Sequence, residues 1–391
     1  MKLFFLLPRV PYPTEKGDKL RAFNHLKQLS KNHEIILCAL NDTVLHEDAV
    51  KVLSKYAKEV HIIPISKVTI LFNLVKTIFT DKPLQVGYFY NRSTSKTIHR
   101  LIEKTKPDHI FCQLIRVAEY VKDVPIPKTL DYQDVFSKGM ERRLVSSPFY
   151  LRPFLKMEYS RLLRYEHDVF GIFNNKIIIS VPDRDFIPHP EREKIVVVPN
   201  GVDTDFFKPQ EREKEYDLVF TGNMGYPPNI NAAEYLVQRI LPLVMQKKPD
   251  ISLLIAGASP HLRISSLGSS NVTVSGWVPD MRDCYAMARI FIAPMQIGTG
   301  LQNKLLEAMS MQIPCITSPL ANQALQAKEN EEILVASDPE QYARHILTLL
   351  EDPVRSKEIA RIGYEYVHRN YSWEKETAKI DRLIKESGKK G

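Results

Sequence analysis

Short apolar runs of four to six residues alternate with longer amphipathic stretches along this chain, and the rhythm occurs twice. In the first half the runs are 3–7, 35–40, 61–65, 109–113, 129–132 and 176–181. In the second half they are 218–221, 252–256, 272–275, 290–293 and 315–318. Helical patterns lie between them, as in residues 19–31, where Leu20, Phe23, Leu26 and Leu29 recur at every third position. Strand–helix alternation of this kind builds parallel sheets covered by helices on both faces. Two such halves predict an α/β chain of two doubly wound, parallel-sheet domains, which suits 391 residues. The junction is expected in PNGVDTDFFKP, residues 199–209, where turn residues and two prolines gather.

Charge divides the halves. Residues 1–200 carry 32 Lys and Arg against 22 Asp and Glu, whereas residues 201–391 carry 22 against 24. A basic first half points to an anionic ligand there: nucleic acid, phospholipid or a pyrophosphate-linked substrate. Aromatic residues do not alternate with the basic ones and no nucleic-acid motif is present, which disfavours the first. No apolar run reaches the roughly 18–20 residues of a membrane span. The opening MKLFFLLPRVPYP is interrupted by Arg9 and three prolines, so residues 2–7 read as a buried first strand, and a cytoplasmic protein is expected. The four cysteines show no metal or redox spacing, and three lie in strand-like runs as small hydrophobes would. The paired aspartates DRD (183–185) and DTD (203–205) sit in loops, the histidines lack ligand spacing, and no metal is expected.

Ligands of open parallel sheets bind beyond the carboxyl ends of the strands. The first such loop, PRVPYPTEKGDKLR, lacks the GxGxxG of a dinucleotide site, which argues against a nicotinamide-dependent oxidoreductase. Gly17, Lys19 and Arg21 at its helix start suit an anion such as a diphosphate, or else form a solvated basic helix start. Residues 67–91 place Ile70, Leu71, Leu74, Val75, Ile78 and Phe79 on one helical face with Lys67, Lys76 and Lys82 around it. This face either dips into an anionic membrane surface or packs on the core.

The second loop, GTGLQNKLLEAM, follows the strand-like ARIFIAPMQ. Gly298 and Gly300 permit unusual backbone angles and close approach by a ligand. A helix expected from Leu301 points its free N–H groups into the loop, a diphosphate site to which Lys304 adds a full charge. Glu307, one turn on, has the chemistry to hold two vicinal ribose hydroxyls.

The segments VVVPNGVDTDFFKP, LVFTGNMGYPPNINAAEYL, VTVSGWVPDMRDCYAMARIFIAPM and GTGLQNKLLEAMSMQIPCITSP, in this order, resemble the glycosyltransferase family 4 pattern over most of residues 195–350. They are especially similar to bacterial sugar transferases associated with exosortase (PEP-CTERM) exopolysaccharide systems. The resemblance implies a GT-B architecture, two Rossmann-like domains with the active site in the cleft between them. The expected domains are 1–199 for the acceptor, 200–365 for the nucleotide-sugar donor, and 366–391 as a helix crossing back. It also implies transfer with retention, Glu307 on the donor ribose, and the backbone of Gly298, Thr299, Gly300 and Leu301 at the diphosphate and sugar. Backbone near Val278 would flank the base, and Asn223 in GNMGYPPN joins the donor set.

Two departures stand out. Where the family commonly has a second glutamate, this chain has Thr299, and GNMGYPPN lacks the Arg and Lys that often hold the diphosphate. Lys304 is the expected substitute. Retaining transfer requires stabilisation of the leaving diphosphate and orientation of the acceptor hydroxyl. Lys304 and Arg21 are the candidate cations, and Asp131 or Asp134 of DYQDVF the orienting carboxylate, with a helix N-cap as the alternative for Asp134. The expected acceptor is a glycan or polyprenyl-diphosphate-linked oligosaccharide. An inactive sugar-nucleotide-binding partner and a sugar-nucleotide 2-epimerase are the alternatives.

Overall fold

The computed structural model describes residues 1–14, 16–298 and 300–388, and both halves of the chain form parallel sheets. The chain divides into two compact units, Met1–Pro199 with Trp373–Gly391, and Asn200–Ser372. Among the described residues no helix is long and apolar enough to cross a membrane.

The first sheet comprises β1 (Lys2–Leu7), β2 (Glu34–Asn41), β3 (Glu59–Pro64), β4 (His109–Gln113), β5 (Lys128–Asp131), β6 (Asn175–Ile178) and β7 (Val196–Val197), in the order β3-β2-β1-β4-β5-β6-β7. Phe4, Leu6, Ile36, Cys38 and Leu40 enter one core, while Leu3, Phe5, Leu7, Ile35, Leu37 and Ala39 enter another. This is the period-two alternation of strands buried on both faces, and it explains why these runs are apolar throughout. Cys38, Cys112, Cys284 and Cys315 are buried free thiols.

The helices that matter below begin with α1 (Gly17–Leu29), α2 (Lys67–Ile78), α3 (Phe136–Ser146) and α4 (Arg152–Val169). Triplet spacing put Leu20 and Phe23 on the inner stripe of α1; the structure instead buries Arg21, Ala22, Asn24, His25, Leu26 and Leu29. A polar stripe is tolerated because Arg21 is paired with Asp131 and the His25 ring nitrogen meets the Thr377 hydroxyl at 2.9 Å.

The second sheet holds β8 (Tyr216–Thr221), β9 (Leu253–Ala256), β10 (Val272–Gly276), β11 (Ala288–Ala293), β12 (Cys315–Thr317) and β13 (Leu334–Val335), in the order β10-β9-β8-β11-β12-β13. Its relevant helices are α5 (Pro227–Tyr235), α6 (Met281–Ala286), α7 (Asn303–Ser310) and α8 (Pro353–Asn370). The chain leaves this unit after Ser372, rather than at 366. The Val202 amide donates to the Tyr371 carbonyl, which ties the unit's first and last segments together. The last helix, α9 (Trp373–Ser387), belongs to the first unit, where Ile380 and Ile384 enter the core beside α1.

The edge strands β7 and β13 are two residues long and left no periodic signal in the sequence. In each sheet the strand order reverses once, between β1 and β4 and between β8 and β11. At such switch points neighbouring loops diverge to opposite faces and leave a crevice at the carboxyl ends of the strands.

Candidate functional site

In the second unit, the switch point is where GNMGYPPN and GTGLQNKLLEAM meet. Beyond β8 the chain turns at Gly222 (φ +149°), and beyond β9 at Gly257 (φ +148°). These backbones pass so closely that a Cβ on Gly257 would lie 1.6 Å from the Gly222 carbonyl oxygen. A side chain on Gly222 would fall 2.7 Å from the Asn229 amide and 3.2 Å from Lys304 Nζ. The two glycines therefore keep this corner open for the side chains that fill it.

Helix α7 starts at Asn303, two residues later than expected, which leaves Gly300 and Leu301 in the preceding loop. Its N-cap, Gln302, makes no side-chain capping bond, and neither does Tyr226 at the start of α5. Helix α7 thus directs the uncapped N–H groups of its first turn and the positive end of its dipole toward the loop, whereas α5 opens on Pro227 and Pro228, which carry no N–H, and offers only its dipole. Gly298 adopts φ +101°, a conformation that glycine alone takes without strain, and its position lies against Pro228 of α5. Thr299 lies outside the described residues.

Lys304, in the first turn of α7, is buried. Its Nζ donates to Asn229 Oδ1 at 2.5 Å and stands 4.6 Å from the centre of the Phe220 ring. Asn229 is oriented in turn by its amide, which donates to the Asn223 carbonyl at 2.8 Å. Asn223 thus acts through its backbone here, and its side chain accepts from the Gly225 amide. Burial pushes the Lys304 ammonium down to about 7, against the opposing charge of Glu307. An ammonium so enclosed, with one oxygen acceptor among the described residues, is arranged to receive an anion.

One turn on, Glu307 Oε2 accepts from the Tyr285 hydroxyl at 2.7 Å, and that hydroxyl lies 2.8 Å from Thr221 Oγ1 at the end of β8. Burial raises the Glu307 carboxyl, while Tyr285 and Lys304 draw it back. The phenol sets the rotamer of the carboxylate. Val278 follows β10, two strands from β8, so roughly 10 Å separates that loop from the Lys304 corner. This is the spread a base, ribose and diphosphate need. A cavity lined by Lys214, Arg289, Pro314 and Lys357 lies toward the opposite strand ends and contains none of these groups.

In the first unit the structure redistributes the expected residues. Arg21 is wholly enclosed: Nε and Nη2 donate to Asp131 at 2.6 and 3.1 Å, and Nη1 donates to the Val198 carbonyl at 2.9 Å. It fastens α1 to β5 and to the end of the first-unit chain, so neither Arg21 nor Asp131 is presented to a substrate, contrary to the role expected for the arginine. Gly17 opens α1 at the surface, with Lys16 as an N-cap without a side-chain bond and Lys19 partly exposed on the first turn. Asp134 is not a helix cap, because α3 begins at Phe136 behind Val135. Its side chain stays accessible, and its carboxyl is pushed up to about 6 by desolvation and by Asp183 and Asp18.

Around Asp134 the structure gathers residues that sequence reading passed over. Arg9, in the loop after β1, holds Asp18 at 2.8 Å. Gln113, ending β4, donates to the Asp18 carbonyl and to Gln133. Arg116 lies 4.5 Å from the Phe136 ring centre and donates to Gln85 at 2.8 Å, while its buried Nε has no hydrogen-bond partner among the described residues. All follow strands flanking the switch point, the positional signal that would have found them. The paired aspartates serve local turns: Asp183 accepts from Ser180, the N-cap of its short helix, and Asp203 accepts from the Phe206 amide.

With the geometry in place, comparisons with known proteins give the activity class. Residues 215–352 match the family described as Glycosyl transferases group 1. They form a glycosyltransferase domain. The chain is 23% identical to an uncharacterized 44.6 kDa protein in the cps region of Klebsiella pneumoniae, over 96% of this chain and 97% of that one. It is 28% identical to a GDP-mannose-dependent monoacylated alpha-(1-6)-phosphatidylinositol monomannoside mannosyltransferase of Corynebacterium glutamicum, over 48% of this chain and 55% of the relative. The crystal structure of Anabaena HepE in complex with UDP superposes with a TM-score of 0.69 at 13% identity, covering 99% of this chain and all of that one. The fold is GT-B, and the chain is a glycosyltransferase. The glycosyltransferase domain contains the Lys304–Asn229 corner, the Tyr285–Glu307 pair and the uncapped start of α7.

Proposed function

We propose that this glycosyltransferase moves a sugar, with retention, from a nucleotide-diphosphate donor to a glycan or polyprenyl-diphosphate-linked oligosaccharide in cell-surface polysaccharide synthesis. The observation that carries the donor half is the buried Lys304 ammonium at the β8/β11 switch point, in the uncapped first turn of α7. As the bond from the sugar to the diphosphate breaks, negative charge grows on the departing oxygen. A fixed ammonium in a desolvated corner stabilises that charge more than it stabilises the bound donor, a contribution of about 2.7–4 kcal/mol. Lys304 and the helix dipoles take the place of the absent Arg and Lys of the resembling pattern, and transfer runs without a metal. Glu307, fixed by Tyr285, holds the ribose, and the backbone near Val278 flanks the base.

The acceptor half rests on Asp134, whose raised carboxyl suits it to orient an attacking hydroxyl and share its proton near neutral pH. Arg9 and Arg116 supply positive charge for an acceptor phosphate. Polysaccharide synthesis is favoured by the relative from a cps region, and the link to exosortase-associated transferases is of the same kind. UDP in HepE and GDP-mannose in the mannosyltransferase's name leave two donor bases to compare. The enzyme is placed in the cytoplasm, where nucleotide sugars are made.

Calorimetric titration with UDP, GDP, ADP and CMP, on the wild type and on Glu307→Ala, tests the reading. One nucleotide should bind, and the variant should bind it at least tenfold more weakly while melting like the wild type. Equal affinity would remove Glu307 from the site. Nucleotide binding without turnover of any labelled donor would favour a binding partner in a polysaccharide assembly. Conversion of the donor alone would favour an epimerase.

A further inference from the structure

We propose that α2 and the turn between α3 and α4 form one docking surface for an anionic lipid bilayer. In placing the enzyme where a lipid-linked acceptor is found, this deepens the acceptor reading above and rests on it. Helix α2 is apolar on two sides. Ile70 and Leu74 face the first-unit core, as expected for a packed helix. Val68, Leu71, Phe72, Val75, Ile78 and Phe79 form a second stripe at i, i+3, i+4 and i+7 spacing that faces outward, with Phe72 73% and Phe79 85% exposed. Core packing explains the first stripe and leaves the second without a partner.

A second apolar tract, not singled out in the sequence, runs from the end of α3 into the start of α4: Val145, Phe149, Tyr150, Leu151 and Phe154, with Phe149 80% exposed. Arg161 joins the tracts. From α4 it donates to the Thr77 and Ile78 carbonyls at 3.3 and 2.9 Å, closing the carboxyl end of α2. Phe154 lies two turns earlier on the same face of α4, roughly 10 Å away. The two exposed tracts therefore share one side of the unit.

The charges choose the occupant. Segments 67–82 and 142–164 hold nine Lys and Arg against two acidic residues. One of those acids, Glu158, is buried and accepts from the Leu84 and Gln85 amides, which leaves Asp81 as the only exposed acid. Aromatic and aliphatic side chains ringed by cations match an anionic bilayer, where the rings enter the acyl boundary and the cations meet headgroup phosphates. A symmetric dimer through this face would set like charges against one another.

The test is flotation of the full chain with vesicles of phosphatidylcholine, with and without about one third phosphatidylglycerol. Wild type, Phe72→Ser/Phe79→Ser and Phe149→Ser/Phe154→Ser are compared, with melting curves to show that each folds. Wild type should float with the anionic vesicles, less so in high salt, and each pair of substitutions should weaken flotation by roughly tenfold or more. Nucleotide affinity should be unchanged in both variants. Absence of wild-type flotation, or flotation unaffected by either pair, would overturn the proposal. So would a wild-type dimer in solution that the substitutions dissociate, which would make a second copy the occupant. Retained transfer to a detergent-solubilised lipid-linked acceptor alongside failed flotation would sink the docking surface alone; flotation by an enzyme that transfers only to soluble acceptors would sink the acceptor reading alone.

Discussion

Lys304→Met separates what this residue costs the fold from what it gives the reaction. Methionine keeps the length of the side chain and removes the ammonium. In the unfolded chain the amine holds its proton up to about pH 10.5; in the folded chain it gives the proton up above about 7. Between those limits the unfolded state binds more protons, so stability rises with pH. The penalty for burying the charge is therefore fully present below pH 7 and fades toward pH 10.5. At 1.36 kcal/mol per pH unit, the fall to about 7 corresponds to roughly 5 kcal/mol. Against this, methionine leaves Asn229 Oδ1 without its donor, about 1–3 kcal/mol, and forfeits the contact with Phe220, up to about 2 kcal/mol. At pH 6 the variant should match the wild type or exceed it by up to about 4 kcal/mol. By pH 10 that comparison should shift against the variant by roughly 4 kcal/mol. Urea unfolding of both proteins across this range, followed through the transition that bound nucleotide shifts, gives the difference curve. A bound diphosphate restores the charge, so wild-type binding at pH 8.5 should take up close to one proton. Calorimetry in buffers of different ionisation enthalpy reads that uptake. Parallel stability curves, no proton uptake, or unchanged nucleotide affinity in the variant would each refute the assignment of Lys304.

Three further single substitutions and one double test the frame of the two units. Gly257→Ala places a methyl group 1.6 Å from the Gly222 carbonyl at a φ of +148°, and should cost more than about 3 kcal/mol in a thermal melt. Gly17→Ala, with nothing within 4 Å, should shift stability by less than about 1 kcal/mol. Arg21→Met leaves Asp131 charged and enclosed, and should destabilise the first unit by about 3–5 kcal/mol in a denaturant titration. Arg21→Met with Asp131→Leu should recover most of that loss. A stable Arg21→Met protein that lost only turnover would instead return the arginine to catalysis.

The fold was legible because parallel strands covered on both faces must be apolar at every position, and runs such as 3–7 and 290–293 are. Lys304 and Glu307 could be singled out because a charge and a carboxylate on the first turns after a glycine loop are what phosphate and ribose binding would call for, and the structure buries both on one helix beside the switch point. Arg21 shows where that logic stops. Its type and its place at a helix start fit an anion site, but a bidentate carboxylate 110 residues away already holds it, and local sequence does not record that pairing. Asn229 and Tyr285 were missed for the complementary reason. Neither is charged or set in a glycine loop, and each matters through one hydrogen bond to a residue far along the chain, 75 positions in the case of Asn229 and Lys304. Strand order brings Asn229 to Lys304: β8 and β11 are neighbours, so the residues just beyond them share a corner whatever their separation in sequence, while Tyr285 reaches that corner from α6, the helix before β11, through Thr221 at the end of β8. Once the order is known, every polar side chain at or beyond the ends of those two strands is a candidate, and the same rule applied to β1 and β4 selects Arg9, Gln113 and Arg116 for the acceptor role proposed above.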